Sequence, residues 1–282
     1  MKKASIVIVT YNSAAVIENC LGSISVGIEV FVVDNASSDE TCTLIKEKFP
    51  HINLIKNEEN VGFGRANNLA LRQVKTEFAL VLNPDTVLQE NSIKNLLIAA
   101  DKYEDAAIIA PVLYHEDGTM QQSYKTDVFA REKNRCKYIE PGGDLCADFL
   151  SGAVMLLRIS SFNDIGFFDE NIFLFYEDDD ICLKAKKAGH SLVMAKNAKV
   201  MHMLGKSSPA TISSIYFKNK HLIWSRIYLQ AKYKSKLSAK MMAIRLALIN
   251  FIKLLAYGFI FNKIKFVKTW GRLVGAVLGG RG

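Results

Sequence analysis

A handful of carboxylates and one histidine are the residues of this chain best placed to do chemistry. Asp85 follows the apolar run Leu80-Val81-Leu82 and the pair Asn83-Pro84. A short apolar run stopped by a turn signal reads as a buried strand. Pro84 cannot continue a central ladder, so Asp85 should emerge at the strand's carboxyl end, the edge where open α/β sheets hold their ligands. On its own, Asn83-Pro84-Asp85 is also ordinary turn chemistry, with Asp85 or Thr86 capping a helix that starts near Glu90. Asp34 ends a second apolar run, Val30-Phe31-Val32-Val33. Ser38 or Asp39 suits the N-cap of the following helix and Glu40 suits its dipole. That leaves Asp34 to accept from a ligand N–H or hydroxyl, or to close an Asx-turn.

The densest acidic signal is Glu177-Asp178-Asp179-Asp180. Ile181, Ala185 and Ala188 recur at helical spacing behind it, so the acids open a helix that ends at Gly189. A helix N-terminus favours one or two acids through its dipole. Four in a row repel one another, and that repulsion should raise at least one pKa unless a cation or donor compensates. Functional sites carry such a cost more readily than surface helices do. His202 closes the short run Ala198-Lys199-Val200-Met201. A lone histidine after a strand is usually structural; it gains interest as a partner for Asp85.

These residues need a scaffold, and the first half of the chain supplies an alternation of short segments. Residues 5–10, 29–33, 53–56, 77–82 and 106–111 read as strands, and residues 14–24, 39–49, 62–74 and 92–103 as helices. That pattern predicts an α/β fold of mostly parallel βαβ units with helices on both sheet faces. Each strand end then delivers polar residues to one rim: Thr10-Tyr11-Asn12, Asp34-Asn35 and Asn83-Pro84-Asp85.

Asn60-Val61-Gly62-Phe63-Gly64-Arg65 looks like a glycine loop entering a helix, where Arg65 could meet a diphosphate. The third glycine of a dinucleotide fingerprint is absent, position 67 being Asn, and the loop follows the third strand instead of the first. An NAD-type reading is therefore excluded. Residues 112–145 look irregular: Glu116-Asp117-Gly118 predicts a hairpin turn between 112–115 and 120–124, and a polar, basic and mobile stretch through Gly142-Gly143 suits the choice of an acceptor. Order resumes at 149–157, and residues 191–195 and 198–202 read as two strands.

At 282 residues, half of them hydrophobic, the chain can bury a large core. Five cysteines without Cys-x-x-Cys or zinc spacing read as reduced thiols. The N-terminus enters a strand directly, with no export signal visible, so a cytoplasmic location is expected. Charge is uneven: residues 211–282 carry 14 Lys and Arg with no acid, a net +14, whereas residues 1–210 hold 22 against 28, a net −6. Such a tail fits a polyanionic surface, either nucleic acid or anionic lipid.

Taken in order, residues 5–12, 34–41, 60–70, 80–86, 166–170, 176–183 and 200–202 resemble the inverting nucleotide-sugar glycosyltransferases of the GT-A fold, family 2. The rhamnosyltransferase and galactofuranosyltransferase branch is the most similar. The resemblance covers about residues 4–210. It implies a catalytic domain at 1–210, with a nucleotide-binding half at 1–111 and an acceptor and catalytic half at 112–210. It also implies that Thr10, Tyr11, Asn12, Asp34, Asn60, Gly62, Arg65, Asn83 and Asp85 bind the nucleotide sugar. The family's Asp-x-Asp motif falls on Asn83-Pro84-Asp85, which leaves Asp85 as the main carboxylate for a divalent ion. His202 becomes its second protein ligand; with diphosphate oxygens this set suits Mn²⁺ or Mg²⁺. The catalytic base maps to Asp178, with Glu177 and Asp180 orienting substrate or a nearby cation. The expected donor is dTDP-rhamnose, with UDP-galactofuranose or another UDP-sugar as the alternative. The expected acceptor is a lipid-linked saccharide.

In the tail, Lys265, Lys268 and Arg272 separate from Phe266, Trp270 and Leu273 on one helix, and residues 241–261 are mostly apolar but contain Arg245 and Lys253. Two internal cations make a membrane span costly, so residues 211–282 are expected to lie on the anionic inner face of the cell membrane. The alternative is a helical pair covering the catalytic domain or forming a homodimer. Phe, Leu and Ile are interleaved too densely for nucleic acid to be the better partner. A nucleotidyltransferase on a related sheet is the rival enzyme. A processive synthase is disfavoured, because no Gln-x-x-Arg-Trp motif is present.

Overall fold

The computed structural model describes residues 3–125, 141–207 and 210–280. Residues 126–140, which include Cys136 and most of the polar insertion, lie outside the described residues. The chain divides into two compact units, Met1–Asp169 with Asp178–Ser208 and Glu170–Glu177 with Pro209–Gly282.

The first unit is built on a mixed sheet. Its strands are β1 (Ala4–Thr10), β2 (Glu29–Asp34), β3 (Asn53–Lys56), β4 (Phe78–Leu82), β5 (Thr86–Leu88), β6 (Ala106–Tyr114), β8 (Leu145–Cys146), β10 (Val154–Arg158) and β11 (Ser191–His202). A separate pair joins β7 (Tyr124–Lys125) to β9 (Phe149–Leu150). Among the described residues the main sheet runs β3-β2-β1-β4-β10-β6-β11-β5, with β8 beside β11. β1, β2, β3 and β4 pair in parallel, as do β6 and β11. β10 enters antiparallel between β4 and β6, and β5 and β8 run antiparallel to β11. The carboxyl ends of β1, β2, β4, β6 and β11 and the amino ends of β10 and β5 therefore share one rim.

β1 and β4 are buried along their whole length, as strands covered on both faces must be. Period-2 alternation splits their side chains between two layers. Ile6, Ile8, Leu80 and Leu82 pack with Ile17 of α1 (Ala14–Gly22), Ile45 of α2 (Thr41–Lys48) and Leu96 of α4 (Ser92–Lys102). Val7, Val9 and Val81 pack with Ala66 and Ala70 of α3 (Phe63–Leu71) and Ile181 of α5 (Glu177–Lys187). Gly64 sits at the closest approach, where a Cβ would lie 3.0 Å from Cβ of Phe168.

Four local expectations change. The chain after Asp85 does not enter a helix directly but forms β5, which pairs with the end of β11 and puts Thr86 opposite His202. Residues 191–202 form one strand, because the irregularity between Ala195 and Lys199 shifts its register without ending it. Glu40, not Ser38 or Asp39, occupies the N-cap of α2. The Asp39 carboxylate instead accepts from Thr41 N and Oγ1 and, across the loop, from Ala14 N at the start of α1. Finally, the segment 149–157 is split by a turn at Gly152-Ala153, which separates β9 from β10. The turn at Asp117-Gly118 forms, with His115 N donating to Thr119 O and Tyr114 bridging to Met120, but the expected second arm does not continue to residue 124, because Tyr124 pairs with Leu150 of β9.

The second unit is helical: α6 (Ile212–Tyr233), α7 (Lys236–Phe259) and α8 (Lys263–Gly279). Thr211 and Ser214 form a reciprocal cap on α6, and Ser235 and Asn262 cap the next two helices. α8 meets α6 through Gly271, Gly275 and Gly279, where added Cβ atoms would strike the carbonyls of Tyr216 and Lys220 and the Ile227 side chain. Spacing of four places these glycines on one face and lets the backbones approach closely. Arg272 is half-buried there and donates to Asn219 Oδ1 at 2.8 Å. The apolar residues Phe266 and Trp270 stay exposed. Among the described residues, α7 is long and apolar enough to cross a membrane, by length and composition alone.

Candidate active site

At the first part of the rim, the loops after β1 and β2 are laced together. Asp34 is buried, and its carboxylate accepts from Thr10 Oγ1 at 2.9 Å, Ser37 N at 2.9 Å and Ser37 Oγ at 2.5 Å. The backbone donor to Asp34 lies three residues on, one beyond the donor of an Asx-turn, and the carboxylate is held from both loops. Asn12 takes φ 52°, a left-handed conformation that Asn tolerates, and its Oδ1 accepts from Ser38 N at 2.8 Å. Tyr11 stands exposed beside it. Asn35, delivered to the rim with Asp34, organises the next loop: its Oδ1 accepts from Asn57 Nδ2 at 2.8 Å and its Nδ2 donates to Gly62 O at 3.1 Å. Gly62 takes φ 91°, which a side chain would strain, and Asn60 Oδ1 accepts from its N–H at 3.0 Å. Arg65 follows on the exposed first turn of α3.

The second part centres on Asp85, which is 1 % exposed. Ser207 N donates to its Oδ2 at 3.0 Å, and Met203 N donates to its carbonyl at 2.8 Å, so the chain leaving β11 folds over it. Oδ1 is buried without a hydrogen-bond partner among the described residues and lies 3.5 Å from Nε2 of His202. The β5–β11 pairing accounts for this meeting of residues that are 117 positions apart in sequence. Asn83 Oδ1, nearby in the chain, is a second buried oxygen without a partner among the described residues. Behind the imidazole, Nδ1 lies 3.0 Å from Gln121 Oε1.

The third part is Asp178 on the first turn of α5. Its Oδ2 accepts from Gly152 N at 3.2 Å and its Oδ1 from Asp179 N at 3.0 Å. Gly152 makes this approach close, since a Cβ there would lie 3.0 Å from Cβ of Asp178. Burial pushes the Asp178 carboxyl above the ordinary carboxylate range, against the pull of the Gly152 and Asp179 N–H groups and the Lys125 charge. Asp179 is raised as well, first by burial and then by the charge of Asp178. Asp180 is fully buried, and Glu177 opens the helix.

Main-chain bonds tie these parts together. Asn83 N donates to Ala153 O at 2.9 Å, beside the Gly152 that holds Asp178. Residues 121–125 run past both centres: Gln121 touches His202, and Ser123 O accepts from Ser151 N at 2.8 Å. The sequence-expected residues Thr10, Asn12, Asp34, Asn83, Asp85, Asp178 and His202 therefore fall on one connected rim. Asn60 and Gly62 join it through Asn35, and Arg65 follows them in the chain. The residues missed were Ser37, Gln121, Gly152 and Ser207, and Asn35 was placed at the rim without a role. Alternation in Met120-Gln121-Gln122-Ser123, with Gln121 and Ser123 inward and Gln122 exposed, was the available signal for Gln121.

Asp85 Oδ1 and His202 Nε2 form a donor pair suited to a hard or borderline divalent ion. No group of three or more His, Cys, Asp or Glu that could hold a metal occurs among the described residues.

The model described as glycosyl transferase family 2 matches residues 5–166. An N-acetylglucosaminyl-diphospho-decaprenol L-rhamnosyltransferase from Mycobacterium tuberculosis is 27% identical over 235 residues, covering 70% of this chain and 75% of that protein. The low-salt glycan biosynthesis hexosyltransferase Agl10 from Haloferax volcanii is 27% identical over 209 residues, covering 70% and 66%. The solved mannosyltransferase PcManGT from Pyrobaculum calidifontis, in complex with GDP-Man and Mn²⁺, matches with TM-score 0.58 at 16% identity, covering 99% of this chain and 87% of that one.

Proposed function

The chain belongs to glycosyl transferase family 2 and is a GT-A-fold glycosyltransferase; on that premise we propose that it is a metal-dependent inverting enzyme moving a sugar from a nucleoside-diphosphate donor to a hydroxyl of a lipid-linked saccharide. The observation that carries the proposal is the buried Asp85 Oδ1, left without a hydrogen-bond partner among the described residues and facing His202 Nε2. Rhamnose from dTDP-rhamnose is the favoured donor, supported by the relative that is an L-rhamnosyltransferase, and a UDP-sugar is the alternative. That relative's name also supports a saccharide on a diphospho-lipid as the acceptor.

Thr10, Tyr11, Asn12 and Asp34 hold the nucleoside in this reading, with Asn60, Gly62 and Arg65 toward the ribose and diphosphate. Asn83, Asp85 and His202 face the diphosphate, and Asp85 with His202 would hold Mn²⁺ or Mg²⁺. When bound, that ion supplies positive charge against the charge developing on the departing diphosphate. Asp178 removes the proton from the acceptor hydroxyl as its oxygen attacks the anomeric carbon from the face opposite the nucleotide, which inverts that centre. The Gly152 and Asp179 N–H groups fix the orientation of its carboxylate, and its raised pKa strengthens it as a base. Glu177 and Asp180 keep orienting roles.

The tail contributes attachment to an anionic membrane surface. Leu237, Met241, Ile244, Leu248, Phe251, Ile252 and Leu255 are all exposed and recur at helical spacing along α7, within a segment whose net charge is +14. The full chain should float with phosphatidylglycerol vesicles and not with phosphatidylcholine ones, and Leu248→Glu with Ile252→Glu should abolish flotation. A variant that floats as well as the parent would remove this part.

The activity test follows nucleoside diphosphate release from dTDP- and UDP-sugars with a prenyl-diphosphate-linked saccharide and Mn²⁺. Release that stops with EDTA and falls steeply in Asp85→Asn is expected. Full activity in both, or pyrophosphate release from NTP in its place, overturns the proposal.

A further inference from the structure

We propose that Gln121 is a positioning residue that holds the His202 imidazole in the tautomer able to ligate a cation; this rests on the reading of Asp85 and His202 as a metal pair. The amide of Gln121 has its orientation set by its other bonds. Its Nε2 donates to the carbonyl of His202 at 2.6 Å and lies 3.0 Å from Nδ1 of His115. Its backbone N–H donates to Leu113 O at 2.7 Å, which locks the residue to the end of β6. Oε1 is thereby turned toward His202 Nδ1 at 3.0 Å, and a carbonyl oxygen can only accept. The proton on the neutral ring must then sit on Nδ1, and Nε2 presents its lone pair.

The opposite side of the ring agrees. A protonated Nε2 beside a carboxylate closes to about 2.7–2.9 Å. Here Nε2 stands 3.5 Å from Asp85 Oδ1, and that oxygen has no hydrogen-bond partner among the described residues. Two lone pairs facing across such a gap suit an intervening cation. Both Gln121 and His202 are buried, at 6 % exposure each, so water does not compete for the Nδ1 proton. Partners of this kind raise ligand basicity and fix ring orientation, and their loss costs about 10- to 100-fold in metal affinity.

Two measurements on the full-length chain test this. In the metal-free protein near neutral pH, long-range ¹H–¹⁵N imidazole spectra should show His202 protonated on Nδ1, assigned by the peaks lost in His202→Ala. Gln121→Leu should move it toward the Nε2–H form, and Gln121→Glu, which keeps an acceptor, should restore Nδ1–H. An Nε2–H tautomer in the wild type overturns the proposal whatever the variants do. Mn²⁺ titration in the presence of UDP should then show an affinity about 10- to 100-fold weaker for Gln121→Leu, with recovery in Gln121→Glu. If His202→Ala binds Mn²⁺ as tightly as the wild type, the metal reading itself fails. If His202→Ala weakens binding but Gln121→Leu changes neither tautomer nor affinity, the metal reading stands and the role of Gln121 falls.

Discussion

Asp85 and Asp178 are carboxylates on the same sheet edge, each steadied by main-chain N–H groups, yet their surroundings lack opposite things. Around Asp85 one oxygen is held by Ser207, the other has no hydrogen-bond partner among the described residues, and an imidazole nitrogen stands 3.5 Å from it. That arrangement is completed by added positive charge. Around Asp178 the helix opens with further acids, and burial lifts the carboxyl out of its ordinary range. This second arrangement is completed by a proton. On the proposed reading one sheet edge suits one acid to a cation and another to general-base work, and the difference comes from neighbours and burial, not from residue type.

Removing the proposed proton acceptor should break the contrast most severely. Asp178→Asn keeps the size of the side chain and should lower kcat by about 10²- to 10⁴-fold with donor KM little changed. In the wild type, kcat/KM should rise with pH through a limb lying above the ordinary carboxylate value of about 4. A limb at about 4, or an Asp178→Asn enzyme with near-normal kcat, would reassign the base, with Asp179 the next to test. At the other acid, Asp85→Asn and His202→Ala should each weaken Mn²⁺ binding in the presence of UDP and cost about 10²-fold in activity, partly restored at high Mn²⁺. Equal activity at all Mn²⁺ concentrations would leave Asp85 a turn residue.

A smaller effect isolates positioning from chemistry. Gly152→Ala keeps the N–H that reaches Asp178 but places a Cβ 3.0 Å from Cβ of Asp178, so the carboxylate must shift by a few tenths of an ångström. The expected loss is about tenfold in kcat, because misplacement by about 1 Å costs about 10²-fold. Wild-type rates in Gly152→Ala would show that the close approach is packing alone.

The placing of these acids on one rim was partly legible in the sequence. Strand ends announced Thr10, Asp34 and Asp85 because an apolar run followed by Asn, Pro or Asp is local information. Asp178 stood out because four adjacent carboxylates exceed what a helix terminus needs. What remained hidden was carried by long-range pairing: no local pattern predicts that β5 would fold back on β11, or that Gln121 would stand behind His202 and Gly152 beneath Asp178. The tail gave its charge and apolar residues openly. Its packing face, Gly271, Gly275 and Gly279, was also written at a spacing of four, but glycines carry no side-chain signal in a reading based on hydrophobicity.

The gentlest test asks whether Asp178 is held at a cost to the fold. A carboxyl whose folded-state pKa is raised binds its proton more tightly when folded. Its contribution to stability is therefore greatest below the ordinary carboxylate range and declines as pH rises through the raised value. Asn at 178 stays neutral and also relieves Asp179, whose carboxyl is lifted in part by the charge of Asp178. Asp178→Asn should then melt above the wild type at pH 8 by roughly 2–4 °C, corresponding to about 1 kcal/mol, with the gap closing toward pH 4. Asp85→Asn gives the matching control: its oxygen pair is arranged for a cation, so Mn²⁺ with UDP should raise the wild-type melting temperature and leave that of Asp85→Asn in place. If Asp178→Asn melts lower at pH 8 and higher at pH 4, the acidic helix start is stabilising in its ionised form, and the contrast between the two acids disappears.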